Sequence, residues 1–268
     1  MEVEKKNFFE KYGLLSAVLS YLAFFIILSS FILLGLFLFY SFTYSLDFKK
    51  LMSMASLSLV TEEDLKIFYG YGDNYVNAFA LSNAWGNFLA YLFSFITVTI
   101  SMIFYLKKDF LDLKNNYKKL IIYTIIATVL FMGVSFLVEF LVGLAVNDSQ
   151  NQNLIVIIMQ NGGTIPMAIC TVLFAPIVEE LIYRKVIFEY GKKIHIAFSY
   201  VASIVLFALP HMISTNNTNI GIWLLQAIPY ITSAGLFAVI YHKSNYNIYV
   251  TIFIHMVNNL IAVLLVLI

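Results

Sequence analysis

Long apolar stretches, separated by short polar or charged segments, constrain the fold of this sequence more than any other feature. A helix that crosses a membrane needs about 20 mainly apolar residues, and the first such stretch covers residues 14–42. Of the 268 residues, 61% are hydrophobic and 12% are charged, whereas a soluble domain carries about 25% charged residues. The sequence therefore predicts an all-α, polytopic membrane helix bundle.

About seven transmembrane helices are predicted, because the hydrophobic pattern divides into seven stretches. They cover about residues 14–42, 79–105, 120–146, 165–190, 196–213, 220–241 and 246–268. A basic amphipathic connector, LKKDFLDLKNNYKK, follows the second helix and is expected to lie at the level of the lipid headgroups. The glycines of NGGT, residues 161–164, are expected to break the helix before the fourth span. We divide the chain into helices 1 to 3 with the connector (1–150) and helices 4 to 7 (151–268).

The distribution of basic residues predicts the orientation in the membrane, because cytoplasmic loops are rich in Lys and Arg. Seven alternating crossings place three lysines on one side, Lys49, Lys50 and Lys66, and the other thirteen basic residues on the opposite side. We therefore expect the N-terminus in the cytoplasm and the C-terminus outside. The thirteen are Lys5, Lys6, Lys11, Lys107, Lys108, Lys114, Lys118, Lys119, Arg184, Lys185, Lys192, Lys193 and Lys243.

Polar side chains inside the spans are the candidate functional residues, because ionisable groups in a bilayer are costly and usually serve a function. They are Glu139, Glu179, Glu180, Arg184, His211, His255, Asn258 and Asn259. At a rise of about 1.5 Å per residue, Glu179, His211 and His255 lie roughly 18 to 24 Å from the cytoplasmic ends of their helices. This shared depth predicts one common site. Glu139, near the outer end of the third span, is instead expected to reach the headgroups.

Helical spacing separates the two adjacent glutamates. Glu180 and Arg184 are four residues apart, with the acid first, which favours an ion pair that a low dielectric keeps together. Glu179 points about 100° further round the helix. It is therefore the carboxylate left free for chemistry, as a general base.

The last span offers a second pair of polar groups on one helix face. His255 and Asn259 are four residues apart, so their N–H groups can be aimed at one point, as in an oxyanion hole. With Glu179 as a base and His211 as a second group that orients water, the set contains the parts that amide hydrolysis needs.

Structural roles stay open for each of these features taken alone. A Glu–Arg pair can clamp two helices, and a lone His or Asn often makes hydrogen bonds between helices. A non-catalytic immunity or scaffold protein that binds a peptide in the same cavity is the alternative function. A proton-relaying transporter is less favoured, because the sequence has no internal symmetry.

Three motifs, in this order, resemble the CAAX protease and bacteriocin-processing (CPBP, or Abi) family of intramembrane proteases. EELIYR (179–184) fits EExxxR, FALPH (207–211) fits FxxxH, and HMVNN (255–259) fits HxxxN. The resemblance covers about residues 160–268, and the segment 151–268 would form the catalytic core. It implies peptide-bond hydrolysis inside the membrane. The implied roles are water activation by Glu179 and His211, oxyanion stabilisation by His255 and Asn259, and a structural ion pair between Glu180 and Arg184.

No cofactor is favoured by these residues. Glu179, His211 and His255 would be the zinc ligands of a metal-dependent enzyme, but the HExxH spacing is absent and a metal-free glutamate mechanism uses the same side chains. The resemblance implies a peptide or membrane-protein substrate, in bacteriocin processing, self-immunity or CAAX-like protein maturation. The net charge of +1 predicts no nucleic-acid partner. The Lys-, Asn-, Ile- and Tyr-rich composition favours a bacterial plasma membrane.

Overall fold

The computed structural model describes residues 8–57, 59, 61–146, 150–213 and 220–267, and in these residues the regular structure is entirely helical. The predicted all-α fold class is confirmed. The main helices are α1 (Phe8–Thr43), α2 (Phe48–Ser53), α3 (Glu62–Tyr69), α4 (Asp73–Ser101), α5 (Ile103–Asn115), α6 (Tyr117–Gly143), α7 (Asn151–Lys192), α8 (Ile196–Ile213), α9 (Ile220–Lys243) and α10 (Ile248–Leu267).

Within the described ranges, six helices are long and apolar enough to cross a membrane: α1, α4, α6, α7, α9 and α10. The apolar part of α8 is shorter, Ile196–Met212, so the number of about seven crossings stays a prediction. The cytoplasmic position of the N-terminus also stays one. Lys5, Lys6 and most of the polar loops at 147–153 and 214–219, on which the predicted orientation partly depends, lie outside the described residues.

Helix α7, which carries the EELIYR motif, is the most enclosed of the spans. In its most apolar window 61% of the residues are buried, against 6% in α1 and at most 33% in the other spans. The predicted break at NGGT is present: Asn161 has φ −117° and ψ 48°, and Gly162 has φ 90°, a conformation that favours glycine. Beyond the break, π-helical turns at Cys170–Phe174 and Leu181–Phe188 flank the short α-helical piece Ala175–Glu180.

A buried polar network joins the helix ends at the lysine-rich side of the bundle. The Nζ atom of Lys185 donates to Oδ2 of Asp109 at 2.6 Å and to the carbonyl oxygen of Tyr246 at 3.0 Å. The backbone N–H of Ile248 donates to the same Oδ2 at 3.0 Å. Burial raises the pKa of the Asp109 carboxyl, although Lys185 partly offsets this effect. The connector helix α5, which was expected at the level of the headgroups, therefore points Asp109 into the bundle. Through Asp109 it links α7 to the start of α10.

Candidate active site

A cavity of about 310 Å³ lies among α4, α6, α7, α8, α9 and α10. Six of the eight polar residues singled out from the sequence line it together: Glu139, Glu179, His211, His255, Asn258 and Asn259. Glu180 and Arg184 do not line the cavity and are completely buried behind its wall. The structure thus brings the groups from α7, α8 and α10 into one place, as their shared depth indicates.

Glu179 stands in the wall of the cavity with only 6% of its surface exposed. The hydroxyl of Tyr91 donates to Oε1 at 2.7 Å. Oε2 lies 3.9 Å from Nε2 of His255, which is too long for a hydrogen bond. A tyrosine from α4, which the sequence analysis did not assign to the site, therefore binds one oxygen of this carboxylate. The other oxygen remains uncommitted.

His255 is fixed by the second glutamate of the motif. Its Nδ1 atom lies 3.1 Å from Oε1 of Glu180. Because a carboxylate can only accept a hydrogen bond, Nδ1 carries the hydrogen, and Nε2 is the ring nitrogen that faces Glu179. Oε2 of Glu180 lies 3.2 Å from Nε of Arg184. Glu180 therefore contacts His255 as well as Arg184, whereas its spacing on the helix predicts Arg184 alone.

Arg184 is held behind an aromatic wall. Its Nη1 donates to Oγ of Ser203 at 2.6 Å, and Ser203 donates in turn to the carbonyl oxygen of Tyr183 at 3.0 Å. The guanidinium carbon lies 5.0 Å from the ring centre of Phe207 and 5.6 Å from that of Phe237. Both rings line the cavity, so the cation stabilises the wall without entering the space.

His211 is stacked between two aromatic rings. Its ring centre lies 5.3 Å from that of Phe207 and 4.9 Å from that of Tyr230. Its Nδ1 lies 3.0 Å from the carbonyl oxygen of Phe207, so Nδ1 carries a hydrogen and a neutral ring keeps Nε2 as its acceptor. The stacking fixes the plane of the imidazole at the edge of the cavity.

Asn259 is anchored to α7 as well as lining the cavity. Its Nδ2 donates to the carbonyl oxygen of Thr171 at 2.9 Å, and its Oδ1 accepts from Nδ2 of Asn258 at 3.2 Å. Thr171 lies in a π-helical turn, where the regular i→i−4 pairing is replaced. One of the two Nδ2 hydrogens of Asn259 is thereby used, and the second remains available to a ligand.

Sequence reasoning missed the contribution of α4. Tyr91 and Asn87 both line the cavity, and the signal was present, because Asn83, Asn87 and Tyr91 are spaced by four residues on an apolar helix. Such spacing places a polar stripe on one face. Glu139, expected at the headgroups, also lines this cavity. The third span therefore supplies a carboxylate to the cavity rather than only to the membrane surface.

The side chains around the cavity do not fit a zinc site. Among the residues that the structure describes, no group of three or more His, Cys, Asp or Glu side chains is arranged to hold a metal ion. The Nδ1 atoms of His211 and His255 face Phe207 and Glu180, which leaves Nε2 as the free nitrogen of each ring. The proposal below uses protein side chains alone.

Fold and site together define a multi-pass membrane protein with a buried glutamate–histidine cavity. Residues 161–261 match the family model described as type II CAAX prenyl endopeptidase, Rce1-like. The match contains all three motifs, so the resemblance is confirmed for this part of the chain. No curated protein and no solved structure matches the chain.

Proposed function

We propose that this protein is an intramembrane endopeptidase that hydrolyses a peptide bond of a membrane-associated peptide or protein, with Glu179 as the general base. One observation carries the proposal. The uncommitted Oε2 of Glu179 and Nε2 of His255 face each other at 3.9 Å in a buried cavity. A carboxylate oxygen beside an imidazole nitrogen, neither bound to the other, supplies a proton acceptor next to a group that can bind an oxyanion.

In the proposed reaction, the oxygen of a water molecule bonds to the carbonyl carbon while Glu179 accepts one of the water protons. The electron pair of the C=O π bond moves to the carbonyl oxygen. His211 orients the water through Nε2. The C–N bond then breaks as the carbonyl re-forms, and the proton on Glu179 passes to the leaving amine. Glu179 is ionised again at the end of the cycle.

The developing oxyanion is assigned to His255 and Asn259. A hydrogen on Nε2 of His255 and the second Nδ2 hydrogen of Asn259 would donate to it. For this role the His255 ring carries hydrogens on both nitrogens, with Nδ1 donating to Glu180.

The walls of the cavity favour a substrate with a bulky apolar group. Ile158, Met159, Met167 and Val263 pack together beside the polar residues and line the same space. A lipid-modified C-terminus, as the words "CAAX prenyl" of the matching family describe, or an apolar peptide segment would bury its surface there. Either substrate, a lipid-modified C-terminus or an apolar peptide segment, could enter the cavity from the bilayer. Protein maturation and bacteriocin processing both involve such substrates.

The experiment compares the protein with Glu179→Gln, which preserves shape but cannot act as a base. Each is reconstituted into liposomes and incubated with a quenched-fluorescent peptide that ends in Cys-aliphatic-aliphatic-X, in farnesylated and unmodified forms. Extracted membrane proteins from the source cell form a parallel sample, whose new peptide termini are identified by mass spectrometry. Glu139→Gln, which changes the other carboxylate that lines the cavity, is the matched control.

We expect cleavage by the protein and by Glu139→Gln and none by Glu179→Gln. Equal cleavage by Glu179→Gln would remove the catalytic assignment. If the protein retains a peptide without cutting it, and Glu179→Gln retains it equally well, a non-catalytic binding or immunity role replaces the proposal.

A further inference from the structure

A second cavity, of about 460 Å³, lies at the lysine-rich end of the bundle. It is formed by the end of α5, the first turns of α6 and the turn between α9 and α10. It has no lining residue in common with the candidate active site. Its main features are a charged rim and an apolar side, formed by Asp112, Asn116, Lys119, Ile122, Ile126 and Lys243.

Two ammonium groups from different helices meet at the rim. Lys119 lies in the first turn of α6 and Lys243 is the last residue of α9, and both are exposed. Among the described residues, neither forms a salt bridge. No side chain caps the start of α6, so the positive end of that helix adds to the field of the lysines.

The carboxylate of Asp112 also lines the rim, but it is engaged on both oxygens. Oδ1 accepts from Nδ2 of Asn116 at 2.8 Å and Oδ2 accepts from Nδ2 of Asn247 at 3.0 Å. Two lysines and one aspartate give the cavity a net charge of +1. A ligand with one net negative charge complements it.

The apolar side continues from the rim into the span. Ile122 and Ile126 are 60% and 55% exposed and are four residues apart, so they share one face of α6. An exposed apolar strip beneath a cationic rim, at the end of a transmembrane helix, has the layering of a phospholipid: a charged headgroup above an acyl chain.

We propose that this cavity binds a phospholipid with one net negative charge and a hydroxylated headgroup, of the phosphatidylglycerol type. The phosphate lies between Lys119 and Lys243, the headgroup hydroxyls donate to Asp112, and an acyl chain follows Ile122 and Ile126. Basic pockets at the cytoplasmic ends of helices bind anionic headgroups in this way.

The bound lipid would stabilise the contacts that hold α7, the helix that carries the EELIYR motif. Asn247, which binds Asp112 beside the rim, also donates to the carbonyl oxygen of Asp109 at 2.9 Å. Asp109 in turn holds Lys185 of α7. Lipid binding at the rim is thus connected through three contacts to the helix that carries Glu179.

The test titrates purified full-length protein in neutral detergent with dioleoyl phosphatidylglycerol, phosphatidylethanolamine or phosphatidylcholine, and counts bound lipid by native mass spectrometry. The variant Lys119→Ala/Lys243→Ala is compared with Lys118→Ala. Lys118 is the neighbouring lysine, which does not line the cavity and lies over the ring of Tyr117. We expect phosphatidylglycerol to bind at least about tenfold more tightly than the other two lipids, and the double variant to lose about tenfold or more of that affinity.

Lys118→Ala should bind phosphatidylglycerol like the unaltered protein. Equal affinity for the three lipids would overturn the proposal, as would equal losses in Lys118→Ala and in the double variant. Glycerol 3-phosphate, which has the phosphate but no acyl chain, should not displace the lipid at equal concentration. Its displacement of the lipid would show that the cavity recognises free phosphate instead.

Discussion

Glu180 and His255 are in direct contact inside the bundle, with Oε1 of Glu180 3.1 Å from Nδ1 of His255. The same carboxylate faces Arg184 at 3.2 Å. Glu180 is therefore more than the partner of an arginine, because it also sets the direction in which Nε2 of His255 points. In the proposed enzyme it is a positioning residue, which acts through His255 and touches no substrate.

Replacing Glu180 by Ala should destabilise the protein strongly, because Arg184 is then left buried without its counter-charge. Breaking a buried ion pair in this way costs about 3 to 5 kcal/mol. Thermal unfolding in detergent, followed by a reporter of tertiary structure, measures the loss.

The double variant Glu180→Ala/Arg184→Met should be more stable than Glu180→Ala, because it removes the unpaired cation. It should nevertheless have lower activity than the unaltered protein, since Nδ1 of His255 has lost its partner. A double variant with full activity would show that Glu180 serves stability alone.

Tyr91→Phe tests whether the hydrogen bond to Glu179 positions the carboxylate. Hydrogen bonds to charged groups contribute about 1.5 to 3 kcal/mol, so we expect kcat to fall by about tenfold or more with little change in KM. Steady-state kinetics on the peptide that the protein cleaves measure both constants. Tyr21→Phe is the control, because its hydroxyl is hydrogen-bonded to that of Tyr183 at 3.3 Å, whereas the hydroxyl of Tyr91 donates directly to Glu179. Equal losses in the two variants would contradict a positioning role.

Much of the bundle could be predicted from hydropathy, because each span must present an apolar surface to lipid. The predicted spans at 196–213, 220–241 and 246–268 lie within a few residues of α8, α9 and α10. The second span was placed too late, since α4 starts at Asp73, where Asp and Asn lower the hydropathy of the first turn. Helix α4 ends just before Met102, where φ is −98° and ψ is 7°, and α5 begins at the residue after Met102. The sequence at this position gives no signal that a helix ends there.

The contacts between helices could not be predicted in the same way. Spacing on one helix indicates that Glu180 and Arg184 can pair, but the approach of His255 depends on how α7 and α10 pack. Tyr91 was not assigned to the site from the sequence, because a tyrosine in an apolar helix often serves packing alone. The π-helical turns around Ala175–Glu180 also change the direction of side chains relative to an ideal α-helix.

Asp109→Asn should alter how stability depends on pH. Burial raises the pKa of this carboxyl above its ordinary value of 3.8 in the folded protein, so the folded state binds the proton more readily than the unfolded state. The contribution of Asp109 to stability is therefore largest below pH 3.8 and falls as pH rises through the raised pKa. The difference in melting temperature between the protein and Asp109→Asn should change over this acidic range and be constant at higher pH. A constant difference throughout would contradict the raised pKa.

Under the proposed metal-free mechanism, removal of metal ions should leave activity intact; among the residues that the structure describes, no group of three His, Cys, Asp or Glu side chains is arranged to hold a metal ion. The protein is treated with a strong chelator until elemental analysis finds no zinc, and the cleavage rate is then compared with that of untreated protein. A loss of activity that added zinc restores would assign Glu179, His211 and His255 to a metal.

The origin of the oxygen in the product tests the role of Glu179 most directly. Cleavage in water enriched in oxygen-18 is followed by mass spectrometry of the new C-terminal carboxyl. We expect one labelled oxygen in the product of the unaltered protein and no labelled product from Glu179→Gln, which must melt at the same temperature as the protein. Labelled product formed by Glu179→Gln at an undiminished rate would contradict the central claim that Glu179 activates the water.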